Sequence, residues 1–145
     1  MQLTAHFSLA EMTRNGAGLP NDPNPMQTES LRRLCENVLE PLRTQFGPVH
    51  VNSGFRSPAV NVAAGSKTTT SQHLYGEAAD IRIDGVDPAV ILRWLVTAGV
   101  PFDQAIAETR AGKLPYTWAH LSYGPRNRRQ TLSSLDGTHY SAFAG

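Results

Sequence analysis

The succession of segments predicts an α+β fold: a small, mainly antiparallel sheet with helices packed on it. Two observations carry this. Helical periodicity and helix-boundary residues are concentrated before residue 100, whereas the later β-prone segments are joined by short loops, as antiparallel neighbours are. The stretch 78–83 also alternates, with Ala79, Ile81 and Ile83 on one face and Ala78, Asp80 and Arg82 on the other, the pattern of a strand covered on one side. At 145 residues the chain has the size of one ordinary domain with a sizeable core, and residues 1–145 read as a single domain.

The elements follow in order. Ser8 and Glu11 have capping-box spacing and Asn15-Gly16 is a stop, so a helix of about two turns is expected between them. GLPNDPNP reads as a loop. Thr28 is the expected cap of a long helix toward Phe46, whose inward stripe is Leu31, Leu34, Cys35, Val38, Leu39, Leu42 and Phe46. Pro41 is expected to kink it and Gly47-Pro48 to end it. Residues 49–52 are β-prone. Ser57-Pro58 pairs an N-cap with proline at the first helical position, and this helix ends near Ala64-Gly65. GSKTTTSQ reads as a surface loop. Asp87-Pro88 starts a third substantial helix, with Val90, Ile91, Trp94, Leu95 and Ala98 inward and Gly99 closing it. Residues 104–109 and 117–123 read as strands joined by RAGKLPY, and the tail after Gly124 reads as polar and loosely ordered.

Bulk properties exclude several classes. A net charge of +1 gives no general attraction to nucleic acid or membrane surfaces. No apolar run is long enough to span a bilayer. MQLTAHFSLAEM lacks the basic start and apolar core of a signal peptide, so synthesis in the cytoplasm is expected, with any export by another route. Cys35 is the single cysteine; it falls on the helical stripe and reads as a core residue, so a metal must rely on His, Asp or Glu. A serine hydrolase is a poor reading, because no G-x-S-x-G elbow is present.

The chemistry concentrates in SGFRSPAVNVAAGSKTTTSQHLYGEAADIRI, residues 53–83, and in Trp118-Ala119-His120-Leu121-Ser122. His73 precedes a turn at Gly76, Asp80 lies on the following strand, and His120 lies on a later strand that can pair with it. Two histidines and a carboxylate suit zinc, which in catalytic sites takes three protein ligands and keeps one position open. Arg56 carries a planar fork able to hold a carboxylate through two hydrogen bonds; the bland reading is a surface arginine at a turn. His6, His50 and His139 read as ordinary hydrogen-bonded histidines, His50 keeping a small chance of lining the site. Arg126, Arg128 and Arg129 read as a solvated basic cluster.

These residues resemble the zinc D-Ala-D-Ala peptidase family. Its hallmark S-x-H-x-x-G-x-A-x-D is met by Ser71, His73, Gly76, Ala78 and Asp80, its later W-x-H strand by Trp118 and His120, and its upstream pattern by Ser53-Gly54-Phe55-Arg56-Ser57. The likeness is strongest to short, single-domain members common in phage genomes. It implies the hedgehog/D,D-peptidase fold, Zn2+ held by His73, Asp80 and His120, and Arg56, Ser71 and Trp118 at the substrate, with Ser71 supporting the site by hydrogen bonds. It implies a monomer acting on peptidoglycan stem peptides in the cell wall or periplasm, as a D,D-carboxypeptidase or endopeptidase, in the setting of a phage endolysin or a wall-remodelling enzyme. The alternative is a zinc-bearing binding module of the same fold with little turnover.

One position departs from the pattern. Many members carry Glu or Asp three residues before the last histidine ligand; here that residue is Thr117, which cannot act as a base. Glu108, at the end of the preceding strand, is the expected replacement if a hairpin across residues 109–116 sets it roughly opposite Thr117. Asp103, at the far end of that strand, and Glu77, at a variable motif position, are poorer candidates.

Overall fold

The computed structural model describes residues 1–66 and 68–145; Lys67, part of the expected surface loop, lies outside the described residues. Strands β1 (Gln2–Thr4) and β2 (Phe7–Ser8) form a short antiparallel ribbon that leads into helix α1 (Leu9–Thr13). The expected capping box is present: Glu11 N–H donates to Ser8 Oγ at 3.1 Å, and Ser8 N–H donates to the Glu11 carboxylate at 3.2 Å.

The long helical region begins earlier than expected. Asn24, not Thr28, caps helix α2 (Pro25–Leu34). Gln27 N–H donates to Asn24 Oδ1 at 2.8 Å and Asn24 N–H donates to Gln27 Oε1 at 2.9 Å, a reciprocal cap with Pro25 at the first position, where no N–H is needed. Thr28 already lies inside the helix, its hydroxyl donating to Asn24 O at 2.9 Å. A π-helical turn over Cys35–Leu39 then precedes α3 (Glu40–Phe46), which carries Pro41 in its first turn. Pro41 has no N–H for the preceding turn and its ring crowds the carbonyl four residues back; the wider turn just before it accommodates both. Leu31, Leu34, Cys35, Val38, Leu39 and Leu42 are fully buried, and burial pushes the Cys35 thiol up to about 12.

Next come β3 (His50–Ser53), α4 (Pro58–Ala63) capped by Ser57, a single 3-10 turn over Gln72–Tyr75, β4 (Ala78–Arg82) and α5 (Pro88–Thr97). On α5 the buried set is Pro88, Ile91, Leu92 and Leu95. Val90 lies on the far side of that stripe and is exposed, as is Ala98, which corrects the expected inward face. Strands β5 (Gln104–Glu108) and β6 (Trp118–Ser122) follow as expected. The tail is not loose: β7 (Gln130–Ser134) pairs in parallel with β5, and β8 (Ser141–Ala142) pairs with β7.

The main sheet has the order β3-β4-β6-β5-β7-β8, antiparallel throughout except for β5 and β7. Its two faces differ in kind. Ala79, Ile81, Ala105, Ala107, Ala119 and Leu121 join the hydrophobic core with the helical residues. The side chains between them, including Asp80, Ile106, Glu108, Trp118 and His120, point to the opposite face, because successive strand residues alternate. No helix among the described residues is long and apolar enough to cross a membrane.

Candidate metal and catalytic site

His73 sits in the 3-10 turn, where its own N–H donates to Ser71 Oγ at 3.3 Å. The turn ends at Gly76, whose φ of +73° is the left-handed region that favours glycine. A Cβ on Gly76 would run into the backbone carbonyl of Gln27, so the turn lies directly against the start of α2. Gln27 Nε2 donates to Leu74 O at 3.1 Å and strengthens that contact. On the other side, Arg56 N–H donates to His73 O at 3.0 Å.

The His73 ring is buried, and its Nδ1 donates to Gly54 O at 2.7 Å. That bond selects the tautomer and leaves the Nε2 lone pair facing the site. Burial holds the ring's pKa below the ordinary histidine value, which also favours the neutral, electron-donating form. Asp80 lies 3.4 Å from this Nε2 through Oδ2. Its Oδ1 lies 2.9 Å from His120 Nδ1, across strands whose register pairs Asp80 directly with His120. Burial opposes the Asp80 charge, but His73 and His120 outweigh it and hold the carboxyl well below its usual range. Burial likewise opposes a charged His120, yet its contact with Asp80 and the nearby Glu108 raise its pKa.

Ligand atoms of His73, Asp80 and His120 all lie within 4.8 Å of one another, the one such group among the described residues. Ligands about 2.1 Å from a tetrahedral zinc are about 3.4 Å apart. The 3.4 Å between His73 Nε2 and Asp80 Oδ2 matches that spacing, and the 2.9 Å between His120 Nδ1 and the other Asp80 oxygen is a hydrogen-bond contact. Two imidazoles and one carboxylate, with one imidazole tied to a backbone carbonyl, fit a zinc ion.

Arg56 reaches the same group. Its Nε donates to Ser53 Oγ at 2.9 Å and its Nη2 to Asp80 Oδ2 at 3.1 Å, so two of its three nitrogens have protein partners. Ser71 and Trp118 line the cavity of about 510 Å³ that opens over His73, Asp80 and His120.

Glu108 also lines this cavity, but its register differs from expectation by one residue. It pairs with Trp118, not Thr117. The offset decides its position, since directly opposed residues share a face. Glu108, Trp118 and His120 therefore stand on one face, while Thr117 points away and is exposed. Burial pushes the Glu108 carboxyl above the ordinary glutamate value.

The other two acids are elsewhere. Asp103 is buried and receives Arg128 Nε at 2.7 Å, Arg128 Nη2 at 3.1 Å and Gln72 Nε2 at 3.0 Å. The Glu77 carboxylate packs beside Gly124 and lines a separate cavity. The basic cluster is largely structural rather than solvated: Arg128 clamps Asp103, and Arg129 donates to Val100 O at 2.6 Å and covers the Phe102 ring. His6, His50 and His139 pair with Glu40, Asp84 and Asp136, away from the site.

Two cavity residues escape sequence reasoning. Tyr140 comes from the tail, and its hydroxyl lies 3.4 Å from Glu108 Oε1. Arg110 comes from the hairpin loop, its guanidinium 5.7 Å over the Trp118 ring. No motif marks either one; both depend on the pairing of β5 with its neighbours.

A family model described as Peptidase M15 matches residues 5–111. The chain belongs to this peptidase family. The matched stretch holds Arg56, Ser71, His73, Asp80 and Glu108, and His120 joins them through the β4–β6 pairing. No curated protein matches the chain. The recognised likeness to the zinc D-Ala-D-Ala peptidases and the α+β class thus both hold for this M15 chain.

Proposed function

We propose that residues 1–145 form a single zinc peptidase domain that hydrolyses peptide bonds in peptidoglycan stems, as a D,D-carboxypeptidase or endopeptidase. The observation that carries this reading is the convergence of His73, Asp80 and His120 in one cavity with Glu108 on the same sheet face. Zinc, when bound, supplies a Lewis acid for the scissile carbonyl and renders water nucleophilic near neutral pH.

The chain's own residues have distinct tasks. His73, Asp80 and His120 would hold the ion. Gly54 O fixes the His73 ring, and Arg56 steadies the second Asp80 oxygen while facing the substrate cavity. Glu108 is the general base that accepts a proton from the attacking water and returns it to the leaving amine. Its burial favours this, because a carboxylate whose pKa is raised is a stronger base toward the proton of the attacking water. The Tyr140 hydroxyl can orient that carboxyl, and Trp118 forms an apolar wall for the stem peptide. Ser71 supports the turn that carries His73. The setting we propose is wall degradation by a monomeric phage-type endolysin or wall-remodelling enzyme.

The test is mass spectrometry of purified stem peptides and muropeptides after incubation with the zinc-loaded protein, with and without chelator. Products that require zinc are expected, and their masses name the bond. Glu108→Gln should keep zinc and fold but lose about 10²–10⁴-fold in rate. Near-wild-type rates in that variant would remove Glu108 from its role. No product from any stem peptide, with zinc bound, would favour a binding module.

A further inference from the structure

We propose that Arg110, laid over Trp118, is the docking point for a free carboxylate of the substrate, so that the site selects stem peptides by the charge at their C-terminus. The inference rests on the peptidase reading above. It follows from asking which cation along the groove remains available.

Four arginines border the groove. Arg56 has two nitrogens committed to Ser53 and Asp80. Arg128 is clamped on Asp103. Arg126 stands 3.8 Å from the same Asp103 carboxylate, with Glu77 also within its electrostatic reach, so acids already balance that end of the groove. Arg110 makes no ion pair or hydrogen bond to any described residue within the distances that define the others. It lines the same cavity as His73, Asp80, Glu108 and His120.

The position of Arg110 is also built. Backbone bonds pin the chain on both sides of it: Thr109 N–H donates to Ser134 O at 3.0 Å and Gly112 N–H to Leu135 O at 2.9 Å. Gly137 opposite leaves room for the side chain, since a Cβ there would come within 3.2 Å of Arg110 Nε. The guanidinium lies over the Trp118 ring, within the range of a cation–π contact. An arginine stacked by its face keeps its N–H edges free, and those edges match a carboxylate through two parallel hydrogen bonds. The acids nearby do not satisfy it. Glu108 is buried beneath Tyr140, and Asp136 is already engaged by His139. Arg110 therefore offers the open fork that Arg56 has given to Ser53 and Asp80.

The experiment compares Nα,Nε-diacetyl-L-lysyl-D-alanyl-D-alanine with its C-terminal amide. Zinc-loaded wild-type protein is assayed for cleavage, and the zinc-loaded Glu108→Gln protein for binding by calorimetry. The acid should be preferred by about 10- to 100-fold, the size of a charge-assisted hydrogen bond, and mainly through KM and Kd. Arg110→Ala should reduce that preference to within about threefold, Arg110→Lys should keep part of it, and Arg126→Ala should keep all of it. Equal binding of acid and amide, or an unchanged preference in Arg110→Ala, overturns the proposal. Binding that discriminates without cleavage of this tripeptide would leave Arg110 in place and overturn the D,D-carboxypeptidase form of the reading; with no product from any stem peptide as well, it would overturn the peptidase reading itself.

Discussion

Gly76 and Gly99 have almost the same backbone conformation, φ +73° and +72°, but different surroundings. Gly99 has nothing within 4 Å of where a Cβ would stand, whereas at Gly76 that Cβ would run into Gln27 O and sit 3.2 Å from the Leu31 side chain. Alanine at either site carries left-handed strain of roughly 1–2 kcal/mol. At Gly76 the added methyl must also push the first turn of α2 off the His73 turn, an overpacking cost of about 1–3 kcal/mol more. Gly76→Ala should therefore lose about twice as much stability as Gly99→Ala in urea titrations of the two variants, with equal m-values. It should also weaken zinc binding, because the displaced turn carries His73; Gly99→Ala should not. Equal losses in the two variants, or tight zinc in a destabilised Gly76→Ala, would refute the claim that α2 braces the metal turn.

Removing His73, Asp80 or His120 by alanine substitution should each cost most of the zinc affinity, measured by competition with a chromophoric chelator; His6→Ala and His139→Ala should retain the metal. Arg56→Lys should keep zinc but lower kcat/KM about tenfold or more, since lysine cannot bond Ser53 and Asp80 at once; unchanged kinetics would return Arg56 to a bystander. Hydrogen bonds from Arg128 hold the Asp103 carboxyl down at about 2, below its ordinary value of 3.8. Its contribution, about 2 kcal/mol, is thus present above pH 4 and lost as the pH falls toward 2. Asp103→Asn should accordingly be most destabilised relative to wild type near neutrality, and the gap should narrow in acid melts; a gap independent of pH would contradict this.

The convergence of His73, Asp80 and His120 is legible because its cues are local or carried by parity. Six residues and a glycine turn separate His73 from Asp80, and Trp118-Ala119-His120 has the alternation of a strand. The sheet position of Glu108 is legible only to within one residue: RAGKLPY does not disclose its hydrogen-bonding frame, and one residue of slip exchanges the faces of a strand. The tail was misread because QTLSS has only one large apolar residue. Its place in the sheet comes from main-chain pairing with β5, which leaves little trace in side-chain pattern. Tyr140 was lost with it. Asn24 goes unmarked as a cap because it lies within the GLPNDPNP loop, which masks the Asn24–Gln27 pair. Arg128 and Arg129 looked solvated because their partners, Asp103, Val96 and Val100, are more than two dozen residues away.

Asp80 and His120 face each other across one rung of the sheet, and Ala79 and Leu121 form the next rung on the core side. The chemistry and the hydrophobic interior are therefore printed on two sides of the same ribbon. Sliding β4 past β6 by a single residue would turn Ala79 toward the solvent side and Asp80 toward the interior, so a mutation that tampers with the ladder is penalised twice. The segments that rim the cavity carry no such double obligation. The loop bearing Thr68 and Thr70, the hairpin bearing Arg110 and the turn bearing Gly137 and Thr138 lie outside the rungs. Drift in those rims can reshape the cavity while the rungs keep Asp80 and His120 together, so under the proposed function new preferences can arise here without rebuilding the site.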